Sequence, residues 1–198
     1  VGKTFGRAIA AIAILFAAPL AAQNYSDGYT FLKAVKDRDI DKVSGVISQP
    51  GSIVINSKER GSGDGAVHIV ARGRDLPWLN FLLQKGARPD LVNAQGNTAL
   101  AIAAELGWAE GAQLLLARRA SVDLANSRGE TPLILAVQRR DIQMVRLLLA
   151  AGADPKKTDS VAGLSAFDYA KQDVRAAPVL KLLETPVAKP KAVAGPKL

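Results

Sequence analysis

Four glycine-led segments return at nearly constant intervals along the chain. "GDGAVHIVA" starts at Gly63, "GNTALAIAA" at Gly96, "GETPLILAV" at Gly129 and "GLSAFDYAK" at Gly163, so successive starts lie 33, 33 and 34 residues apart. Leucine pairs follow in register at Leu82-Leu83, Leu115-Leu116, Leu148-Leu149 and Leu182-Leu183. A degenerate earlier copy, "FLKAVKDRDIDKVSGVI" from Phe31 to Ile47, carries Ala34 and Val43 where Ala136 and Val145 stand later. A period near 33 leaves little choice of architecture. Each unit is too short to bury its own apolar side, so neighbours must stack in a line and the chain reads as a solenoid.

The unit from Ser127 onward shows what each copy does. Thr131 is placed to cap a helix whose first residue is Pro132, where the missing N–H costs nothing and φ is already helical. Leu133, Ala136 and Val137 make one apolar stripe on this short first helix. After a basic turn, Asp141 caps a second helix on which Ile142, Val145, Leu148 and Leu149 are expected to face inward at spacings of three and four. Gly152 closes it in the left-handed conformation, and Pro155 forbids continuation. Between units, "NAQGNT" and "NSRGET" supply the Asn and Gly that a tight reversal needs.

Not all of the 198 residues belong to this pattern. Residues 1–22 have the order of an export signal: Lys3 and Arg7 without an acid, the apolar run Ala8 to Ala18, then Pro19 and small residues up to Ala22. The run is too short for a membrane span, which needs about 18 apolar residues or more. Cleavage is therefore expected near Ala22, with no stable membrane span afterwards, and the mature chain is expected in the periplasm of a bacterium or secreted from it. After Glu184, "TPVAKPKAVAGPKL" has no period that could bury a face and reads as a disordered basic tail.

The formal net charge of +8 includes +2 from the signal and +3 from Lys189, Lys191 and Lys197, which leaves +3 for the body. That mild excess, without a basic stripe interleaved with stacking aromatics, argues against nucleic acid as a partner. Cysteine is absent and there is one histidine, so disulfides, thiolate metal sites and His-rich metal clusters are excluded. Aromatics make up only 5%, in keeping with closely packed helices.

With these motifs in hand, the chain resembles the ankyrin-repeat family. The family pattern runs Gly, any residue, Thr-Pro-Leu-His, any residue, Ala-Ala, then a Gly-His turn and a Leu-Leu, Gly-Ala ending. "GETPLILAV" with its ladder follows it best, "GNTALAIAA" follows it well, and the segments at Gly63 and Gly163 follow it in part. The resemblance implies an all-α ankyrin-repeat solenoid of about five helix-turn-helix units with short hairpin fingers. The expected divisions are a signal at 1–22, a degenerate first unit at 23–57, units at 58–93, 94–126 and 127–158, a capping unit at 159–185 and the tail at 186–198.

Several departures from the family pattern bear on function. Where the family pairs Thr with His, Thr98 faces Ala101, Thr131 faces Ile134, and His68 faces Gly65; only Ser165 with Asp168 keeps a polar pair, in the manner of a capping box. His68 therefore reads as a retained structural residue, not a catalyst. Arg38, Arg74 and Arg140 stand at the turn between helices where the family often has Gly, and Arg119 replaces an ending Gly. A non-glycine residue in a left-handed slot costs roughly 1 kcal/mol. The arginines read as a solvated rim, with a basic edge facing an acidic partner as the alternative. Trp78 and Trp108 read as packing between units, with interface anchoring as the alternative.

No catalytic residue, cofactor site or metal site is expected. Asp37, Asp39 and Asp41 cluster, but Asp39 lies at a helix-cap position. "GSGDG", Gly61 to Gly65, lacks the Lys of a phosphate loop and reads as a lengthened finger. The expectation is a non-catalytic, monomeric, exported module for a protein partner. An inhibitor or immunity-type factor acting on an envelope enzyme or toxin is the alternative, and a hydrolase the remote one. The resemblance implies contacts through fingers and first helices. Carried onto this chain, these are Ala94, Gln95, Asn97, Glu105 and Leu106 in one unit, and Ser127, Arg128, Glu130, Gln138 and Arg139 in the next.

Overall fold

A computed structural model describes residues 20–49 and 52–185, with side chains from Asp27 onward. The expected signal, apart from its last three residues, and the basic tail at 186–198 lie outside the described residues. Among those described there are ten α-helices and no strands: α1 (Leu20–Lys36), α2 (Ile40–Ile47), α3 (Ala66–Arg72), α4 (Leu76–Gln84), α5 (Ala99–Leu106), α6 (Ala109–Ala117), α7 (Pro132–Gln138), α8 (Ile142–Ala150), α9 (Ala166–Gln172) and α10 (Ala177–Glu184). They pair in sequence order. The odd-numbered helices pack in one row from α1 to α9 and the even-numbered ones in a second row from α4 to α10, so the fold is an all-α solenoid.

Short polar side chains start six of the ten helices. Asp39, Asp75 and Asp141 accept from the backbone N–H of Lys42, Trp78 and Met144, each three residues on. Thr98, Thr131 and Ser165 do the same for Ala101, Ile134 and Asp168. Asp168 returns a bond to the Ser165 N–H and completes the capping box. Such caps contribute about 1 kcal/mol each. They matter here because helices of seven to nine residues are far too short to persist alone.

Burial follows position in the row. Ala99 to Ala104 on α5 are all 0% exposed and Pro132 to Val137 on α7 are all buried, because each helix is enclosed by a partner and two neighbours. The alanines of α5 let backbones approach closely. On the second helices only a stripe is covered: Met144, Val145, Leu148 and Leu149 face in on α8, while Ile142 stays exposed.

Two lines of hydrogen bonds tie each unit to the next. At the fingers, the N–H groups of Ala94, Ser127 and Ser160 donate to the carbonyls of Ser62, Gln95 and Arg128 at 3.0, 2.9 and 2.8 Å. After the second helices, the side chains of Asn56, Asp90 and Asp123 accept from the N–H groups of Arg88, Ser121 and Asp154 at 2.8, 2.8 and 3.1 Å. Within each finger an Asn or Asp closes the reversal. Asn93 Oδ1 accepts from Gln95 and Asn97, Asn126 Oδ1 from Arg128 and Glu130, and Asp159 Oδ1 from Val161 and Ala162.

Arg38, Arg74, Arg119 and Arg140 are the four non-glycine residues with positive φ among those described, at 57°, 50°, 64° and 59°. Three of them are clamps. Arg38 pairs with Asp75 at 2.7 Å and Arg140 with Asp173 at 2.8 Å, in each case the residue that caps the next unit's second segment. In the unit after Arg74 that place holds Trp108, which offers no carboxylate, and Arg74 bonds the Leu106 carbonyl at 2.5 Å instead. The arginines thus reach along the stack, which a solvated rim does not require. Arg140 also holds the Asp173 carboxyl down at about 2, helped by the Arg175 N–H.

Arg119 bears the same backbone strain and makes no side-chain bond among the described residues. Arg119→Gly is expected to raise stability by about 0.5–1 kcal/mol, the left-handed strain outweighing the extra freedom of an unfolded glycine. Arg140→Gly is expected to be close to neutral, because the same relief is offset by loss of the clamp. Urea midpoints of the two variants against the parent check both.

Candidate protein-binding face

The face made by the fingers and the first helices rests on a buried polar layer. His68, on α3, is fully buried. Its Nδ1 accepts from the Gly65 N–H at 3.0 Å, so Nε2 carries the proton and donates to the Asn97 carbonyl at 3.0 Å, joining one unit to the next finger. Asp64, also buried, accepts from Arg72 Nε at 3.0 Å and from Asn93 Nδ2 at 2.8 Å. Burial alone would raise the Asp64 carboxyl, but the Asn93 and Arg72 bonds prevail and hold it below the ordinary range.

Burial pushes His68 below the ordinary imidazole range, against the opposing pull of Asn97 and Asp64. Protonation would also put a hydrogen on Nδ1 where the Gly65 N–H already points. The folded chain therefore binds fewer protons than the unfolded one between the lowered value and the ordinary 6.5. Stability from neutral His68 is complete above that ordinary value and is lost as pH falls through the folded one. Since this is the chain's one histidine, a fall in urea midpoint between pH 7.5 and pH 5.5 is expected, and its absence in His68→Gln identifies the source.

The ten carried-over positions divide into three groups. Ala94, Gln95, Ser127, Arg128, Glu105, Gln138 and Arg139 have exposed side chains, while Asn97 and Leu106 are half-buried, with Leu106 packed on the core. Arg139 caps the C-terminus of α7, at the opposite end of the helix from the finger. Glu130 is a correction to its expected role at the finger surface, since it is only 5% exposed. It accepts from Asn126 at 3.0 Å and Gln138 at 3.4 Å and pairs with Arg128 at 3.6 Å, so it holds the finger to α7 from beneath.

Sequence reasoning missed that Asp64 and Arg72 form the same kind of brace. The residue after the finger glycine and the residue eight positions later are complementary at both places, a spacing that could have disclosed it. The tryptophans are packed. Trp108 is 5% exposed with its ring lying over Gly111, where a β-carbon would collide with it, and Trp78 is half-buried with an edge-on contact to Phe81 at 5.6 Å.

Neither the acidic residues nor the surface recess offers a site for chemistry among the described residues. Among the described residues no group of three or more His, Asp or Glu side chains is arranged to hold a metal ion. A recess beside the last unit is lined by Pro155, Phe167 and Leu183, with Ser165 and Asp168 at its rim. Those two are engaged with each other in the capping box. No helix among the described residues is long and apolar enough to cross a membrane. A family model described as ankyrin repeats, in three copies, matches residues 67–159. These residues take in both braces' helices, α3 and α7, and the two fingers from which contacts were expected.

Proposed function

Because the chain belongs to the ankyrin-repeat proteins, we propose that it is an exported, non-catalytic module that docks one protein partner on the face built by its fingers and first helices. Ankyrin repeats indicate a protein–protein interaction module. The observation that carries the reading here is the separation of roles within that face. Buried braces and the finger-to-finger bonds fix the backbone, while Gln95, Glu105 and Ser127 remain exposed above them and take no part in the braces. A surface held in this way loses little conformational freedom on docking.

The same reading places the mature chain in the periplasm or outside the cell, on the strength of the signal-like residues 1–22. Expression of the full chain in a bacterial host is expected to give a periplasmic product beginning near Gln23, read by mass spectrometry. For binding, cross-linking of envelope extract to the purified chain is expected to trap a partner. Gln95→Trp together with Glu105→Trp, two exposed positions outside the braces, should reduce that yield at least tenfold while the melting curve stays unchanged. Undiminished trapping by this double variant overturns the assignment of the face.

A further inference from the structure

We infer that the edge formed by the C-terminal ends of the second helices docks on an anionic phospholipid bilayer. This edge is built by α4, α6 and α8 and the loops that follow them, so it is separate from the face of fingers and first helices and does not depend on it. The C-caps Lys85, Arg118, Ala151 and Thr185 stand in one row along the stack. Lys85, Arg88, Arg118, Arg119 and Lys156 are exposed on this edge, and none of them forms an ion pair with a described residue. Elsewhere Arg38, Arg72, Arg128, Arg140 and Arg175 each meet a carboxylate.

Bonds between units bring these cations side by side. Arg118 donates to Asn80 Oδ1 on α4 at 3.1 Å, beside Phe81, whose ring lies 5.9 Å from the Lys85 ammonium. Arg88 and Arg119 are each two residues from the bond of the Ser121 N–H to Asp90, and Lys156 is two residues from the bond of the Asp154 N–H to Asp123. Those two aspartates are thereby committed within the stack. Helix dipoles favour Lys85 and Arg118 at their C-caps. Arg119 lies past the helix end at a φ of 64°, where the equivalent residues of the units on either side are Gly86 and Gly152. It bears that strain without a side-chain bond in return. Strain from which the fold gains nothing points to a contact outside the chain.

A bilayer fits this edge better than a compact anion. Strung along three units, the cations converge on no single point where a small anion could be held. Packed helices lie about 8–10 Å apart, close to the Debye length of about 10 Å at 0.1 M salt, so the fields of neighbouring units add. A line of exposed positive charge matches a plane of phosphates, and each Lys or Arg near such a surface strengthens binding about fivefold. The chain leaves α10 at the same row of helix ends, and the sequence beyond Glu184 adds Lys189, Lys191 and Lys197 without an acid, which extends the charge past the stack.

The first test uses the chain beginning at Gln23, the expected mature start, because the apolar run Ala8 to Ala18 would itself enter a bilayer. Co-sedimentation is measured with vesicles of phosphatidylcholine alone and with roughly one part in three of phosphatidylglycerol. Binding is expected to the mixed vesicles only, and to fall as salt is raised. Lys85→Gln, Arg118→Gln and Arg119→Gly together should weaken it about a hundredfold. An equal loss of charge at the turn end of the stack, by Lys42→Gln, Arg139→Gln and Arg175→Gln, should leave it within threefold of the parent. Equal binding to both vesicles, an edge variant within threefold of the parent, or an equal loss in the turn-end variant overturns the inference. So does binding of poly-glutamate without binding of mixed vesicles, which would assign the edge to an acidic protein segment. A second measurement uses the full chain, which has no cysteine of its own. An environment-sensitive fluorophore on Gln84→Cys, beside Lys85, should shift its emission when mixed vesicles are added, and one on Gln143→Cys, at the opposite end of a second helix, should not. A shift at both positions or at neither counts against the edge.

Discussion

Gly96→Ala is expected to lose about 3 kcal/mol of stability, whereas Gly152→Ala loses only about 1 kcal/mol. Both glycines have positive φ, 74° and 92°, so backbone strain is similar in the two variants. The surroundings differ. A β-carbon on Gly96 would lie 2.6 Å from the Ser127 nitrogen and 3.1 Å from the Asn126 carbonyl carbon, both backbone atoms of the following finger. At Gly152 nothing stands within 4 Å. Relief at Gly96 requires the two fingers to part, and with them the bond from Ser127 N–H to the Gln95 carbonyl. Chemical denaturation of both variants tests this. Equal losses would mean that the fingers are not held in register, and the same variants would then show whether partner trapping depends on that register.

His68→Ala is expected to lose about 3–5 kcal/mol of stability. It removes a fully buried side chain and strands two backbone groups, the Gly65 N–H and the Asn97 carbonyl. His68→Gln, which keeps a donor and an acceptor on a side chain of similar reach, should recover part of the loss. A catalytic histidine would give a different picture, with stability nearly intact and an activity abolished. Thermal melts of the two variants distinguish these outcomes.

The sequence disclosed those features whose physical signal is local. Thr131, Asp141 and Ser165 cap helices as their types and positions require, and Gly152 takes the left-handed slot after its helix. The left-handed arginines were legible as strained positions because they replace glycine at fixed places in the period. Their partners were not. Arg38 reaches 37 residues ahead to Asp75, Arg140 33 ahead to Asp173, and Arg74 32 ahead to a carbonyl, and a main-chain acceptor leaves no mark in a sequence. The bonds repeated from finger to finger at Ala94, Ser127 and Ser160 are main-chain and equally silent.

Glu130 shows a different limit. By type and place in the finger it resembles a surface acid, yet its exposure is decided by Asn126, Arg128 and Gln138 closing over it. Asn97 was likewise legible only as a finger position, and not as a residue whose buried Oδ1 lacks a partner among the described residues. That state depends on where every neighbouring donor has gone, which is a property of the assembled stack.

The finger-to-finger bonds also restrict how such a surface can change over time. Each finger hangs on its neighbour through one main-chain link, so the distance between successive contact points is set by the backbone, like the divisions of a ruler. Swapping one side chain rewrites what is read at a single mark. Lengthening one finger displaces every mark beyond it, so new specificity is far more easily gained by exchanging residues or whole units than by inserting residues within a finger.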